Sequence, residues 1–277
     1  MAKTRSKIVI DTDCGVDDAV AIMLALSAKD VCEVMGITCC FGNCALDDVC
    51  KNVMRVLTLC RETKIPIYRG SSTAFIRHDR TGKIHGSDGL GNRGHEFSTG
   101  DLKESEIPAV SALIKMAKEH PKEITLIAIG PLTNLAIAQR IDPHFTENLK
   151  SIVIMGGNYK GVGNATDTAE FNFYCDPIAA NIVLTEPACS VVLVPWETVL
   201  EHGMDLIQKK VKNENITLQG DILVFLRRKC RGLFIFIGIG NGVHRDQQCI
   251  DVIAVAFVMN TYFGAVVAIA LAMQACD

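Results

Sequence analysis

This chain lacks an excess of positive charge, and it lacks the marks of a secreted or fibrous protein. Lys and Arg total 28 against 31 Asp and Glu, a formal net charge of −3. The longest basic clusters, Lys209-Lys210 and Arg227-Arg228-Lys229, are too short to make a nucleic-acid surface. The start, Met1-Ala2-Lys3-Thr4-Arg5-Ser6-Lys7, runs straight into Ile8-Val9-Ile10 without the long apolar core of a secretory leader. The 22 Gly and 8 Pro follow no period, which excludes a collagen-like fibre. There is no repeat, linker or low-complexity segment. With 49% apolar and 21% charged residues, the chain can offset its ordering entropy by burial, so it reads as folded rather than disordered. At 277 residues it reads as a single domain, 1–277.

Cysteine is abundant instead: there are 12. Several (Cys39, Cys40, Cys60, Cys189) sit inside apolar runs, which reads as small buried hydrophobes in a reducing cytoplasm. No Cys-x-x-Cys is paired with a second, and histidine is sparse, which argues against zinc. Residues 252–276 carry no charge, long enough on paper to cross a bilayer. They also hold Asn260, Thr261, Tyr262 and Gln274, so the expectation is a buried helix and a short buried segment, not a membrane anchor.

Short β-branched runs alternate with helical patterns. Strands are expected at 7–10, 34–39, 65–68, 124–129, 151–155 and 190–194. Helices are expected at 17–27, 47–61, 110–119, 133–140 and 176–184, the last opening on Asp176-Pro177. Such alternation implies an α/β fold with a doubly wound, mostly parallel sheet flanked by helices. Ligands then bind beyond the carboxyl ends of the strands. Residues 70–108 break the pattern. They are polar, with turn signals at Ser87-Asp88-Gly89 and Gly91-Asn92, and read as a flap over the strand ends.

The first strand ends in Asp11-Thr12-Asp13-Cys14-Gly15-Val16-Asp17-Asp18, four carboxylates within eight residues. Acidic residues in a first helical turn are common, and that accounts for Asp17 and Asp18. It does not account for Asp11 and Asp13 directly after an apolar strand. A hard divalent cation, Ca²⁺ or Mg²⁺, would relieve their repulsion with oxygen ligands.

The stretch Asp11 to Ala21 resembles the N-terminal signature of the inosine–uridine-preferring nucleoside hydrolases. Four further segments agree in order and spacing: Ile37-Thr38 to Phe41-Gly42-Asn43, the flap stretch His85-Gly86-Ser87-Asp88-Gly89-Leu90, Ala128-Ile129-Gly130-Pro131-Leu132-Thr133-Asn134, and Met155-Gly156-Gly157 through Asn164 and Glu170-Phe171-Asn172 to Asp176-Pro177. The resemblance covers about residues 7 to 200. It implies a Rossmann-like fold and hydrolysis of the N-glycosidic bond of small-molecule ribonucleosides, with Ca²⁺ as cofactor and purine or pyrimidine salvage as the setting. It implies Asp13 as general base and metal ligand, with Asp18, the Ile129 carbonyl and Asp251 completing the metal set. Asp17 and Asn43 would hold ribose hydroxyls. Asn164, Glu170 and Asn172 would surround the 5′ and 3′ hydroxyls, Met155 would line the pocket, and His85 would approach from the flap. By analogy with inverting glycosidases, water would attack the sugar face opposite the leaving base.

Two departures follow. Asp251 would begin a helix, but Ile250 stands where many members carry a proton-donating His, and isoleucine donates none. His244 is either a substitute or a solvated loop residue. Residues 226–277 read as an atypical, shortened C-terminal part, which leaves base preference open and favours a homo-oligomer, dimer or tetramer. Gly238-Ile239-Gly240-Asn241-Gly242 suggests a dinucleotide loop, but position 243 is Val. Asp11-Thr12-Asp13 would also suit a Mg²⁺-dependent phosphatase, which has no need of Asp17-Asp18 or Glu170-Phe171-Asn172. A catalytically silent nucleoside or ribose binder is the main rival.

Overall fold

The computed structural model describes residues 5–76 and 84–201, and the backbone of Phe236–Ile239 and Val252–Val255. Six strands run in chain order: β1 (Ser6–Thr12), β2 (Cys32–Cys39), β3 (Ile67–Arg69), β4 (Ile124–Ala128), β5 (Ser151–Met155) and β6 (Ser190–Val194). Between them lie α1 (Val16–Ser27), α2 (Leu46–Leu59), α3 (Ala109–Glu119), α4 (Thr133–Ile141), α5 (Phe171–Cys175) and α6 (Pro177–Thr185). The sheet order is β3-β2-β1-β4-β5-β6, and every neighbouring pair is parallel.

The two-residue period of the strands sorts their side chains into two cores. Ile8 and Ile10 of β1, Ile127 of β4, and Val153 and Met155 of β5 pack with α1 and α2. Val9, Leu126, Ala128, Ile152 and Ile154 pack with α3, α4 and α6. Burial on both faces explains why the central strands are continuously apolar rather than alternating. The chain winds outward from β1 in one direction and from β4 in the other. The crevice between the ends of β1 and β4 is therefore the switch point where such sheets bind ligands.

α5 is a five-residue helix in a stretch to which the sequence assigned sugar-binding residues but no helix or strand. At Val252–Val255 the sequence reading needs correction. A helix beginning at Asp251 was expected, yet these residues form a strand antiparallel to Phe236–Ile239. Val252, Ile253 and Val255 are β-branched, and that stiffness favours a pleated partner over a helix. No helix among the described residues is long and apolar enough to cross a membrane.

Candidate active site

Asp11 continues β1 between Thr38 of β2 and Ala128 of β4. Its Oδ1 accepts from Thr38 Oγ1 at 2.5 Å and Asn134 Nδ2 at 2.8 Å. The chain then turns sharply. Cys14 adopts φ +30°, a conformation that costs a non-glycine residue energy. Thr12 holds that turn, because its Oγ1 accepts from Cys14 N–H at 3.0 Å and donates to Asp18 Oδ1 at 2.7 Å. Asp18 sits in the first turn of α1, where its Oδ2 accepts from Gly15 N–H at 3.0 Å and Asn43 Nδ2 at 3.3 Å. The helix N-terminus favours that negative charge.

Asp13 Oδ2 accepts from Asn43 N–H at 2.7 Å. Its Oδ1 is buried and has no hydrogen-bond partner among the described residues, as is also true of Asp11 Oδ2. A Cβ on Gly130 would lie 3.1 Å from Asp13 Oδ1, so the glycine leaves the space beside that oxygen open. Burial raises all three acids. Asp11 is pushed up to about 6, with its hydrogen bonds only partly offsetting burial. Asp18 is pushed up to about 7 by burial and then by the charge of Asp17, and Asp13 well above the usual carboxylate range by burial and then by Asp18. Buried, mutually repelling carboxylates with an unsatisfied oxygen suit a hard divalent cation. Ile129, directly after β4, donates its N–H to the Asp11 carbonyl at 2.9 Å, which ties it to the strand that carries the acids. Among the described residues no three His, Cys, Asp or Glu side chains form a metal cluster by themselves. Asp251, the fourth ligand read from sequence, lies outside the described residues, as do Ile250 and His244.

Beside the acidic turn opens a cleft of about 520 Å³, the solvent at its mouth included. Asp17, Asp18 and Asn43 line one side, with His85 beside them. His85 is buried, and its Nδ1 accepts from Val16 N–H at 3.2 Å, which places the ring proton on Nε2, 3.6 Å from Asp17 Oδ1. Ile129, Met155, Asn164, Glu170 and Asn172 line the other side. Asn172 Nδ2 donates to the Ile129 and Met155 carbonyls, both at 3.1 Å. Asn164 Oδ1 accepts from Phe171 N–H at 2.8 Å. Glu170 also caps α5. Its Oε1 accepts from Asn172 N–H and its Oε2 from Gly157 and Phe173 N–H, and burial still raises it above the usual range. Asp13 is fully buried and stands apart from the residues lining the cleft. Sequence reasoning missed Ile84, Phe171 and Trp196 as lining residues. Trp196 was findable: it is the only tryptophan and follows the carboxyl end of β6, where ligand contacts belong.

The family model for the inosine-uridine preferring nucleoside hydrolases matches residues 8–276. The chain belongs to that family. The matched span takes in residues 226–276, which the sequence by itself marked as an atypical C-terminal part. A probable uridine nucleosidase 2 of Arabidopsis thaliana is 40% identical over 184 residues, 65% of this chain and 56% of that protein. The inosine-uridine preferring nucleoside hydrolase of Crithidia fasciculata is 41% identical over 204 residues, 72% of this chain and 60% of that protein. The chain thus spans little more than half the length of these two relatives. Among solved structures, a plant nucleoside hydrolase superposes with a TM-score of 0.68 at 31% identity, covering 81% of this chain and 73% of that one. A purine-preferring ribonucleoside hydrolase from Gardnerella vaginalis, at 23% identity and a TM-score of 0.68, covers 97% of this chain and 80% of its own, and shows the shared fold. Nucleoside hydrolases are in general metal-dependent.

Proposed function

We propose that the chain hydrolyses the N-glycosidic bond of ribonucleosides: water adds at C1′, the C1′–N bond breaks, and ribose and free base are released. The observation that carries this reading is Asp13, whose Oδ1 is buried and unpartnered among the described residues, in the same turn as Asp17 and Asp18, which line the cleft. Asp13 takes the proton of the attacking water. The sugar gains positive charge as the bond breaks, and the fixed carboxylate of Asp17 stabilises it. Asp17 and Asn43 hold ribose hydroxyls on one side. Asn164, Glu170 and Asn172 hold the 5′ and 3′ hydroxyls on the other, with Met155 against the sugar, and His85 approaches from the flap. Asp13, Asp18, the Ile129 carbonyl and Asp251 would hold Ca²⁺. When bound, the ion offsets the carboxylate repulsion and acidifies a water molecule. Ile250 offers the departing base no proton, so the base leaves as an anion and takes its proton from solvent. Buried thiols outside any disulfide support a reducing cytoplasmic setting, and a homodimer or homotetramer is the assembly this reading carries.

Ile250 favours a second reading, in which nucleoside binds without turnover. One experiment separates the two. Trp196 lines the cleft, so its fluorescence should report binding whether or not chemistry follows. With Ca²⁺ and inosine or uridine, the hydrolase reading expects a fluorescence change together with release of reducing sugar. Asp13→Ala should keep the fluorescence change and lower the rate about 10²- to 10⁴-fold, the usual worth of a general base. A fluorescence change without sugar release supports the silent binder, and full turnover by Asp13→Ala removes the role given to Asp13.

A further inference from the structure

Asn52 lies within α2, fully buried, at a helical position that asparagine does not favour. Its amide makes three close hydrogen bonds and a longer one, from Nδ2 to Cys44 Sγ at 3.9 Å. Nδ2 donates to the Asp88 carbonyl at 2.7 Å and to the Cys14 carbonyl at 3.2 Å, while Oδ1 accepts from Arg55 Nη1 at 2.7 Å. With a guanidinium facing one end and two carbonyls the other, the amide has one orientation. The two carbonyls belong to the two segments that meet over the cleft. Cys14 is in the acidic turn, two residues before Val16. Asp88 is three residues after His85, and His85 Nδ1 in turn accepts the Val16 N–H. That N–H is in the first turn of α1, where no helical carbonyl can receive it. Asn52 and His85 therefore close a ring between turn and loop.

The loop is shaped to reach this seat. Asp88 Oδ1 accepts from Leu90 and Asn92 N–H, and Oδ2 from Gly94 N–H, so its carboxylate draws the loop around itself. Leu90 is buried in the core beneath. Gly89, at φ +75°, passes so close that a Cβ there would lie 2.9 Å from Asn52 Nδ2 and 3.2 Å from the Cys14 carbonyl. These contacts anchor residues 84–94 to α2.

We infer that Asn52 is a positioning residue: it docks the His85 loop on the acidic turn and so sets where His85 stands against Asp17 and the cleft. This rests on the hydrolase reading for its kinetic consequence but not for its structural one. The test is Asn52→Leu, which keeps the branched shape and removes the donors to both carbonyls along with the acceptor for Arg55. Hydrogen exchange at the Val16 amide should quicken about tenfold, the equivalent of one net hydrogen bond, with exchange at Leu126 in β4 unchanged. Nucleoside affinity read from Trp196 fluorescence, and KM, should weaken about tenfold with kcat within about twofold, because the wall is displaced in ground state and transition state alike. In a His85→Ala background the same substitution should cost less than about twofold, since its route is already gone. Equal losses in both backgrounds, or unchanged Val16 exchange in Asn52→Leu, would overturn the assignment. Should Asn52→Leu fail to fold, Asn52→Ser carries the same expectations, its hydroxyl being too short to bridge both carbonyls. If the wild-type protein releases no sugar, Val16 exchange and fluorescence still decide the role of Asn52, so the two ideas fail separately.

Discussion

Thr12 uses one hydroxyl in two directions, donating at 2.7 Å to Asp18 Oδ1 and accepting at 3.0 Å from the Cys14 N–H. Valine has the same shape and neither bond. Thr12→Val would leave a buried amide and a buried carboxylate oxygen each short of a partner, at a cost of about 1–3 kcal/mol. Thr12→Ser should recover most of that stability in urea titrations, and a serine variant as weak as the valine one would show that the methyl group matters instead. The same turn sets the response to an ion. Ca²⁺ at a hundredfold excess over its Kd should stabilise the fold by about 2.7 kcal/mol, read as a rise in Tm. Asp13→Asn and Asp18→Asn should each lose most of that rise. Equal Ca²⁺-induced shifts in wild type and both variants would place the ion elsewhere.

At the scale of elements, Asp176 joins three pieces of chain. It is the N-cap of α6, with Oδ1 accepting from Ala179 N–H at 3.0 Å, and Pro177 follows at the first helical position. Its Oδ2 accepts from Thr133 Oγ1 at 2.7 Å and Phe75 N–H at 3.1 Å, tying in α4 and the segment after β3. Asp176→Ala removes the cap and strands two donors, so a loss of about 2–4 kcal/mol is expected in denaturant unfolding. A loss under about 0.5 kcal/mol would mean that water replaces these bonds. The cap was legible in the sequence because Asp-Pro is a local signal. So were β5 and β6, found at their observed limits, because a short apolar run between turns has few other readings. α5 was not, since five residues give no helical period. Val252–Val255 misled because its apolar run suits helix or strand and only a partner, here Phe236–Ile239, decides. The docking of the His85 loop was invisible for the same reason. It depends on Asn52, 36 residues before Asp88, and no local pattern reports such a bond. The acids of the first turn were legible because four charges after an apolar strand conflict with burial unless a site requires them.

At the scale of the whole molecule, the cysteines decide how the fold meets alkali. Nine lie among the described residues, all as thiols outside any disulfide and eight of them buried. The Cys50 thiol beside it, with burial, holds Cys39 well above its ordinary value. Burial, then the Asp11 charge, does the same to Cys40, and burial pushes Cys60 up to about 12. In the unfolded chain these thiols ionise near pH 8.5. Below that pH both states keep their protons and the thiols contribute their full stability. Above it the unfolded state releases protons that the native state retains, so the unfolded state binds fewer and stability falls as pH rises. For Cys60 the window runs from about 8.5 to about 12, at up to about 1.4 kcal/mol per pH unit, and Cys39 and Cys40 add slopes of the same sign. Urea midpoints should therefore decline steeply from pH 9 upward. Cys60→Ala should lower stability at pH 8, where a buried side chain is truncated, yet decline less steeply from pH 9 to 11 because one linked proton is gone. A wild-type midpoint flat across that range, or a Cys60→Ala curve parallel to it, would mean that the native thiols ionise as easily as those of the open chain.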